Sequence, residues 1–161
     1  MKTVMTTTSK TTKVKLPPNP FIHEVLELAG KQRSKAKKVE VLQEYSSDAL
    51  KSLFIWNFDD TVISLIPEGE VPYKKNEVPV GTDHTSLRRE YQQLYNFVKG
   101  GNDSLSSLRR ETMFIQILEG LHPEEAEILC LVKDKALQTK YKITYDVVRE
   151  AFPDIQWGGR S

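Results

Sequence analysis

The sequence lacks the features that mark a secreted, disulfide-bonded or membrane-spanning protein. A single cysteine, Cys130, stands among its 161 residues, so no internal disulfide is possible. No apolar run approaches the roughly 18 residues needed to cross a bilayer. The lysines near the N-terminus are not followed by an apolar segment, which argues against a secretory signal peptide. We therefore expect a protein that works without a membrane.

Motifs for catalysis and for cofactor binding are also missing. The sequence contains no Walker loop, no GxSxG nucleophile motif and no CxxC pair. Its three histidines, His23, His84 and His122, are interpreted as isolated, and His122 as a helix cap. The acidic pair Asp59 and Asp60 has no base or metal partner nearby in the sequence, which predicts a solvated loop. We expect a protein that is not an enzyme and that binds no cofactor and no metal.

Charge of one sign does not predominate either. The 23 lysines and arginines nearly balance 22 acidic residues, which leaves a formal net charge of +1. Any nucleic-acid surface must therefore come from the distribution of the basic residues. The length suits one ordinary domain with a core. We predict a flexible or partner-docking tail over residues 1–19, a single helical domain over 20–154 and a short C-terminal tail over 155–161.

Amphipathic helical patterns are what the sequence does contain. In the first half, Pro20 can begin a helix and Gly30 can end it, while Ser34 and the serines at 46–47 can cap two more. An irregular connection over residues 59–84 follows. Together with the second half, these signals predict an all-α fold, a compact bundle of about six to seven helices in helix–turn–helix pairs.

The second half repeats this pattern with four more helices. The first, over residues 85–99, is predicted to turn Tyr95 inward, and the second to bury Leu105 and Leu108 and to end at a left-handed Gly120. A third, opening at His122, should bury its central apolar residues, Leu129 and Cys130. The last should begin after its N-cap, Thr144, and end before Pro153.

Basic and small polar residues are concentrated at three turns between these helices. Five of the eight residues from 31 to 38 are basic, and they surround the start of the second helix. Lysines there oppose the helix dipole, so a bound anion would relieve an unfavourable interaction. The turn over residues 100–104 could present backbone N–H groups to a phosphate. A third basic loop covers residues 133–142. Each of these turns could equally be an ordinary solvated surface.

Between Phe21 and Pro153, the order of helices and turns resembles the N-terminal all-helical DNA-binding domain of ATP-dependent DNA ligases, particularly those of T-even-like tailed phages. Three stretches support the resemblance: FIHEVLELAGKQRSKAKKVEVLQEY, FVKGGNDSLSSLRRETM and LEGLHPEEAEILCLVKDKALQTKYKITYDVVREAFP. The Lys-x-Asp-Gly motif of the ligase active site does not occur in this sequence, and we expect neither the nucleotidyltransferase nor the OB domain of a ligase. The resemblance therefore concerns fold and DNA binding, and not ligation.

The resemblance implies sequence-independent binding of duplex DNA through its phosphates. The implied contact residues are Lys31, Arg33, Ser34 and Lys35 at the first turn, Gly101, Asn102 and Ser104 at the second, and Lys140, Lys142 and Thr144 at the last. It also implies a phage protein in the cytoplasm of the bacterial host, with packaging in the virion as an alternative. Two other functions stay open: a structural or adaptor protein that binds a phage virion or replication protein, and a mimic that occupies the partners of a ligase domain.

Overall fold

The computed structural model describes residues 15–79 and 84–160, and the predicted all-α fold class is confirmed. The helices are α1 (Ile22–Gly30), α2 (Lys35–Glu44), α3 (Asp48–Phe58), α4 (Leu87–Glu90), α5 (Ser107–Gly120), α6 (Pro123–Lys133), α7 (Leu137–Lys140) and α8 (Tyr145–Ala151). A 3-10 segment, Tyr91–Phe97, follows α4 directly. β-pairing within this part of the chain is limited to two isolated bridges. None of these helices has the length and apolarity required to cross a membrane.

The predicted N-terminal tail can be followed only from residue 15, because residues 1–14 lie outside the described part of the chain. Its last residues contact the domain. The backbone N–H of Leu16 donates to the hydroxyl of Tyr45 at 3.1 Å. The ammonium of Lys15 lies 3.9 Å from the carboxylate of Glu44. The segment before α1 therefore runs along the end of α2.

Helix α6 lies at the centre of the packing, where it contacts α1, α3, α5 and α7. A helix surrounded in this way needs apolar residues on more than one face. Helix α6 meets this requirement with Ala126, Ile128, Leu129 and Val132, which are all fully buried. Around it, α1 packs on α2 and α2 packs on α8. The predicted burial of Leu129 is confirmed, whereas Cys130 is only partly buried, and burial raises the pKa of its thiol to about 11.

A buried carboxylate near the start of α6 links two other helices to it. Glu125 accepts a hydrogen bond from the backbone N–H of Ile22 at 2.7 Å and another from that of Leu87 at 2.9 Å. These two residues begin α1 and α4, and N–H groups at a helix start have no partner within their own helix. Burial raises the pKa of the Glu125 carboxyl, and the two backbone hydrogen bonds oppose that shift. One side chain therefore caps two helices.

A buried ammonium occupies the other end of α6. Lys133 donates to the carbonyls of Pro67 and Gly69 at 2.9 and 2.8 Å and to the carboxylate of Asp134 at 2.7 Å. An ammonium has three N–H donors, and all three are used. The irregular connection that begins after α3 is thereby held against the end of α6.

The predicted helix over residues 85–99 differs from the observed structure. It consists of the short helix α4 and then a 3-10 segment, which has three residues per turn instead of 3.6. Leu94 and Phe97, three residues apart, are buried together, while Tyr95 is 54% exposed. The expectation that Tyr95 faces inward is therefore wrong, because it assumed the wrong helical period.

Helix α5 also begins and ends differently from the prediction. It begins at Ser107, and Leu108 in its first turn is 78% exposed. The buried face instead includes Arg110. Gly120 is the last helical residue and is not left-handed. The helix ends because Leu121 is extended and pairs with Thr85 in an isolated bridge.

Residues 155–160 of the predicted C-terminal tail are attached to the domain through Asp59. Its carboxylate accepts hydrogen bonds from the hydroxyl of Thr61, the N–H of Gly158 and the guanidinium of Arg160, at 2.6, 2.8 and 2.7 Å. Burial alone would raise the pKa of Asp59, but these hydrogen bonds outweigh it and lower the pKa to about 2. The expectation of a solvated Asp59 is wrong. The ionised Asp59 carboxylate stabilises the fold above pH 3.8, and this stabilisation is lost as the pH falls toward 2.

The central position of α6 predicts a large effect of Leu129→Ala. Removing this fully buried side chain should lower the free energy of unfolding by about 2–5 kcal/mol. Leu108→Ala is the matched control at an exposed position and should change it by less than about 0.5 kcal/mol. Urea denaturation followed by circular dichroism measures both. An equally small decrease in the free energy of unfolding for both variants would contradict the central position of α6.

The double cap predicts a second stability effect. Glu125→Gln turns an amide N–H toward one of the two backbone donors, and an orphaned buried N–H costs about 1–3 kcal/mol. Glu125→Ala leaves both donors without a partner and should cost more. The control is Glu127→Gln, because Glu127 is exposed on the same helix and its surface ion pair contributes about 0–1 kcal/mol. Thermal unfolding at neutral pH compares the three, and equal effects of Glu125→Gln and Glu127→Gln would argue against the cap.

Candidate nucleic-acid interface

The first predicted turn lies between α1 and α2. Ser34 is the N-cap of α2, and its hydroxyl accepts the backbone N–H of Lys37 at 3.1 Å. Such a cap satisfies one of the free N–H groups at the helix start. The flanking basic residues Lys31, Arg33 and Lys35 are all exposed. This turn therefore carries its cationic groups on the surface, as the sequence predicts.

The last predicted turn lies between α7 and α8. Thr144 is the N-cap of α8, and its hydroxyl accepts the backbone N–H of Val147 at 3.4 Å. Lys142 and Lys140 are exposed, while Tyr141 between them is buried and orients the segment. The alternation places both lysine side chains on the outer surface.

The structure brings these two turns together. Lys31, Lys140 and Lys142 line one surface concavity of about 540 Å³, which we name the basic concavity. The ammonium of Lys38 donates to the carbonyl of Lys142 at 2.5 Å. A Cβ atom on Gly30 would lie 3.3 Å from the backbone N of Lys142, so glycine permits this close approach. The two junctions, more than 100 residues apart in sequence, thus form one surface.

Acidic side chains partly compensate the charge of the basic concavity. Lys35 lies 3.3 Å from the carboxylate of Glu150, and Lys140 forms an ion pair with Glu127. Glu27 also lines the concavity. Among the residues that the structure describes, no carboxylate forms an ion pair with the basic groups of Lys31, Arg33 and Lys142. Within that part of the chain these three groups face no acidic partner.

The second predicted turn, residues 100–104, lies elsewhere. Gly101 lines a different cavity, between α3 and the 3-10 segment, together with Trp56 and Tyr95. A Cβ atom on Gly101 would lie 1.8 Å from the carbonyl oxygen of Tyr95, so the residue must be glycine for steric reasons. Its N–H donates to the carbonyl of Val98 at 3.1 Å. The glycine is thus explained by the path of the backbone alone.

The polar groups of this turn are also used within the protein. Asn102 donates its side-chain amide to Asn96 at 2.9 Å and accepts the hydroxyl of Ser104 at 3.0 Å. The guanidinium of the buried Arg110 donates to the backbone carbonyls of Asn96 and Asn102 and to that of Leu105, at 2.9, 3.1 and 3.1 Å. Arg110 therefore holds the turn together from inside. Phosphate contacts by Gly101, Asn102 and Ser104 stay a prediction from the resemblance.

Part of the basic stretch from 133 to 142 is internal as well. Besides the buried Lys133, Lys135 donates to the backbone carbonyls of Trp56 and Asp59 at 2.6 and 2.9 Å. Burial lowers the pKa of the Lys135 ammonium, and the nearby carboxylates oppose that shift. Only the second half of this stretch contributes to the basic concavity. Two further lysines of the first basic turn, Lys37 and Lys38, are not among the DNA contacts that the ligase resemblance implies. Lys38 nevertheless joins the two turns through its hydrogen bond to Lys142.

The three histidines, interpreted from the sequence as isolated, form one cluster in the structure. The ring of His122 lies 4.9 Å from that of His23 and 5.4 Å from that of His84, measured between centroids. The predicted cap is confirmed, since Nδ1 of His122 accepts the N–H of Glu124 at 3.1 Å. Burial, with the ring of His23 second, lowers the pKa of His122. Their spacing in the sequence offers no signal for this cluster, which depends on the packing of α6 against α1.

The described residues define an all-α protein whose clearest functional feature is a lysine-lined concavity between two helix junctions. Residues 25–139 match a protein family described as a family of unknown function, DUF6433. The match covers well over half of the chain, which therefore belongs to that family. No curated protein and no solved structure matches the chain.

Proposed function

We propose that the protein binds duplex DNA without catalysis and without sequence specificity, through phosphate contacts at the basic concavity. The contact residues of this proposal are Lys31, Arg33, Ser34, Lys35, Lys140, Lys142 and Thr144. The observation that supports it is the convergence of the first and last predicted turns on one surface. Such a cluster can bind an anionic polymer although the net charge is only +1.

The composition of the concavity favours phosphates over base edges as the contacted groups. Its exposed donors are lysine ammonium groups, which bind phosphate as point charges, and the exposed hydroxyls at the starts of α2 and α8 belong to the two junctions that meet there. Contacts of this kind orient a protein on the duplex but carry no sequence information. The start of α2 adds the positive end of a helix dipole to the same surface.

The acids around the concavity do not prevent this function. The pairs of Lys35 with Glu150 and Lys140 with Glu127 lie on the surface, where an ion pair contributes about 0–1 kcal/mol. A duplex offers a dense array of phosphates and releases condensed counterions on binding. Exchange of a weak surface pair for a phosphate contact therefore costs little.

The same ion pairs favour a second candidate, an adaptor that binds a phage virion or replication protein instead of DNA. Neutralised lysines and a balanced overall charge suit a protein partner as well as a nucleic acid. The two candidates differ in how binding depends on salt, because counterion release is specific to a highly charged polymer.

A salt titration tests the DNA proposal. The logarithm of the binding constant for a duplex of about two helical turns should fall linearly with the logarithm of salt concentration, by about 0.9 for each phosphate contact. The double variant Lys31→Ala/Lys142→Ala should weaken binding to unrelated duplexes equally and should reduce this slope by roughly 2. Fluorescence anisotropy with labelled duplexes measures both quantities.

The matched control removes two lysines far from the concavity in sequence. Lys74→Ala/Lys75→Ala changes the net charge equally, and both residues are exposed on the irregular connection. It should leave the slope nearly unchanged. If the wild-type protein does not bind duplex DNA at low salt, or if both double variants weaken binding equally, the basic concavity is not a DNA site and the adaptor is favoured.

A further inference from the structure

The histidine cluster contains three potential metal ligands at the adjoining starts of α1 and α6. One ligand atom each from His23, His122 and Glu124 lies within 4.8 Å of the other two. Nδ1 of His23 is 3.7 Å from Oε2 of Glu124. Ligand atoms around a tetrahedral zinc ion, with bonds of about 2.0–2.1 Å, are about 3.3 Å apart. Small side-chain rotations would therefore close the set around one ion.

A buried nitrogen without a partner makes this cluster more than a group of nearby residues. His23 is only 8% exposed, and its Nδ1 forms no hydrogen bond within the described part of the protein. The nearest carboxylate oxygens, on Glu27 and Glu124, are 3.5 and 3.7 Å away, beyond ordinary hydrogen-bond length. A buried polar atom left in this state requires an explanation. A cation between the nitrogen and the carboxylate supplies one.

The surrounding charges suit a divalent cation. Glu27 faces His23 from one turn along α1, and Glu24 and Glu124 both act electrostatically on His122. The positive end of the α6 dipole opposes a cation, and these carboxylates offset that opposition. Glu27 lies outside the three-residue group, but its carboxylate is 3.5 Å from Nδ1 of His23 and adds negative charge beside the cation.

We propose that His23, His122 and Glu124 form a zinc-binding site with three protein ligands. Two imidazole nitrogens and one carboxylate oxygen are a ligand set that zinc accepts, and a water molecule can complete the tetrahedron. Magnesium and calcium prefer sites made of oxygen ligands and fit this set poorly. The site would fasten the start of α1 to the start of α6, beside the carboxylate of Glu125.

Binding by His122 requires a change at the start of α6. Its Nδ1 already accepts the N–H of Glu124, so the neutral ring carries its proton on Nε2. Zinc must either replace that N–H at Nδ1 or bind Nε2 after the proton has moved. In both cases one cap hydrogen bond is exchanged for a metal bond. A substitution at His122 that preserves the cap therefore separates the two roles of this side chain.

Isothermal titration calorimetry of the full chain, first freed of metal with a chelator, tests the site with zinc chloride alone. The expected result is one zinc ion per chain, a rise in melting temperature on zinc addition, and no binding of magnesium. Glu124→Gln keeps the size of a partly exposed side chain and should weaken zinc binding at least about 10-fold. His122→Asn retains an N-cap acceptor and should weaken it similarly.

The control variant is Glu68→Gln, which removes the same charge from an exposed position on the irregular connection. It should bind zinc as the wild type does. Circular dichroism of the metal-free proteins verifies that every variant is folded. Absence of zinc binding by the wild type would overturn the proposal, and so would equal zinc affinity of Glu124→Gln and Glu68→Gln. Because Glu124 is partly exposed, Glu124→Gln should stay folded. The comparison of its zinc affinity with that of Glu68→Gln therefore tests the site even if His122→Asn is unstable.

Discussion

The buried carboxylate of Glu125 is the interaction on which the rest of this structure depends. It lies in the central helix α6 and accepts the first backbone N–H of both α1 and α4, at 2.7 and 2.9 Å. A carboxylate in this position is stable only because both donors face it, and both helix starts are satisfied only because it is there. Lys133 has the matching role at the other end of α6, where it holds the connection that follows α3. Two buried charges thus hold segments that are distant in sequence.

This arrangement determines which surfaces can act. Once α1 is fixed on α6, its far end at Gly30 meets the backbone of Lys142, and the two basic junctions share the concavity proposed to bind DNA. Its near end brings His23 against His122 and Glu124, where we propose zinc binding. The two proposed sites therefore occupy opposite ends of one nine-residue helix. A metal that fastens the start of α1 would also stabilise the position of the lysine at its end.

Local signals in the sequence were sufficient wherever a structure depends on neighbouring residues. The caps at Ser34, His122 and Thr144 are formed as predicted, because a side chain that bonds to a backbone N–H two or three residues later needs no tertiary contact. The 3-10 segment differs from the predicted helix because Leu94 and Phe97, three residues apart, are buried, whereas Tyr95, which a 3.6-residue period turns inward, is exposed. The burial of Arg110 is not visible in the sequence, because its partners are backbone carbonyls of a loop whose path only the fold determines.

The amino-acid sequence by itself determined the all-α class, most helix starts and the basic character of the turns at 31–35 and 140–144, since propensity, capping and charge are local properties. Only the tertiary structure decided which turns share a surface. The first basic turn meets the last at Gly30, and the middle turn is held by Arg110 inside the protein. The three histidines, separated by 61 and 38 positions in the sequence, lie together. The physical reason is that such proximity follows from the burial of apolar faces and of Glu125 around α6, which is a property of the whole chain.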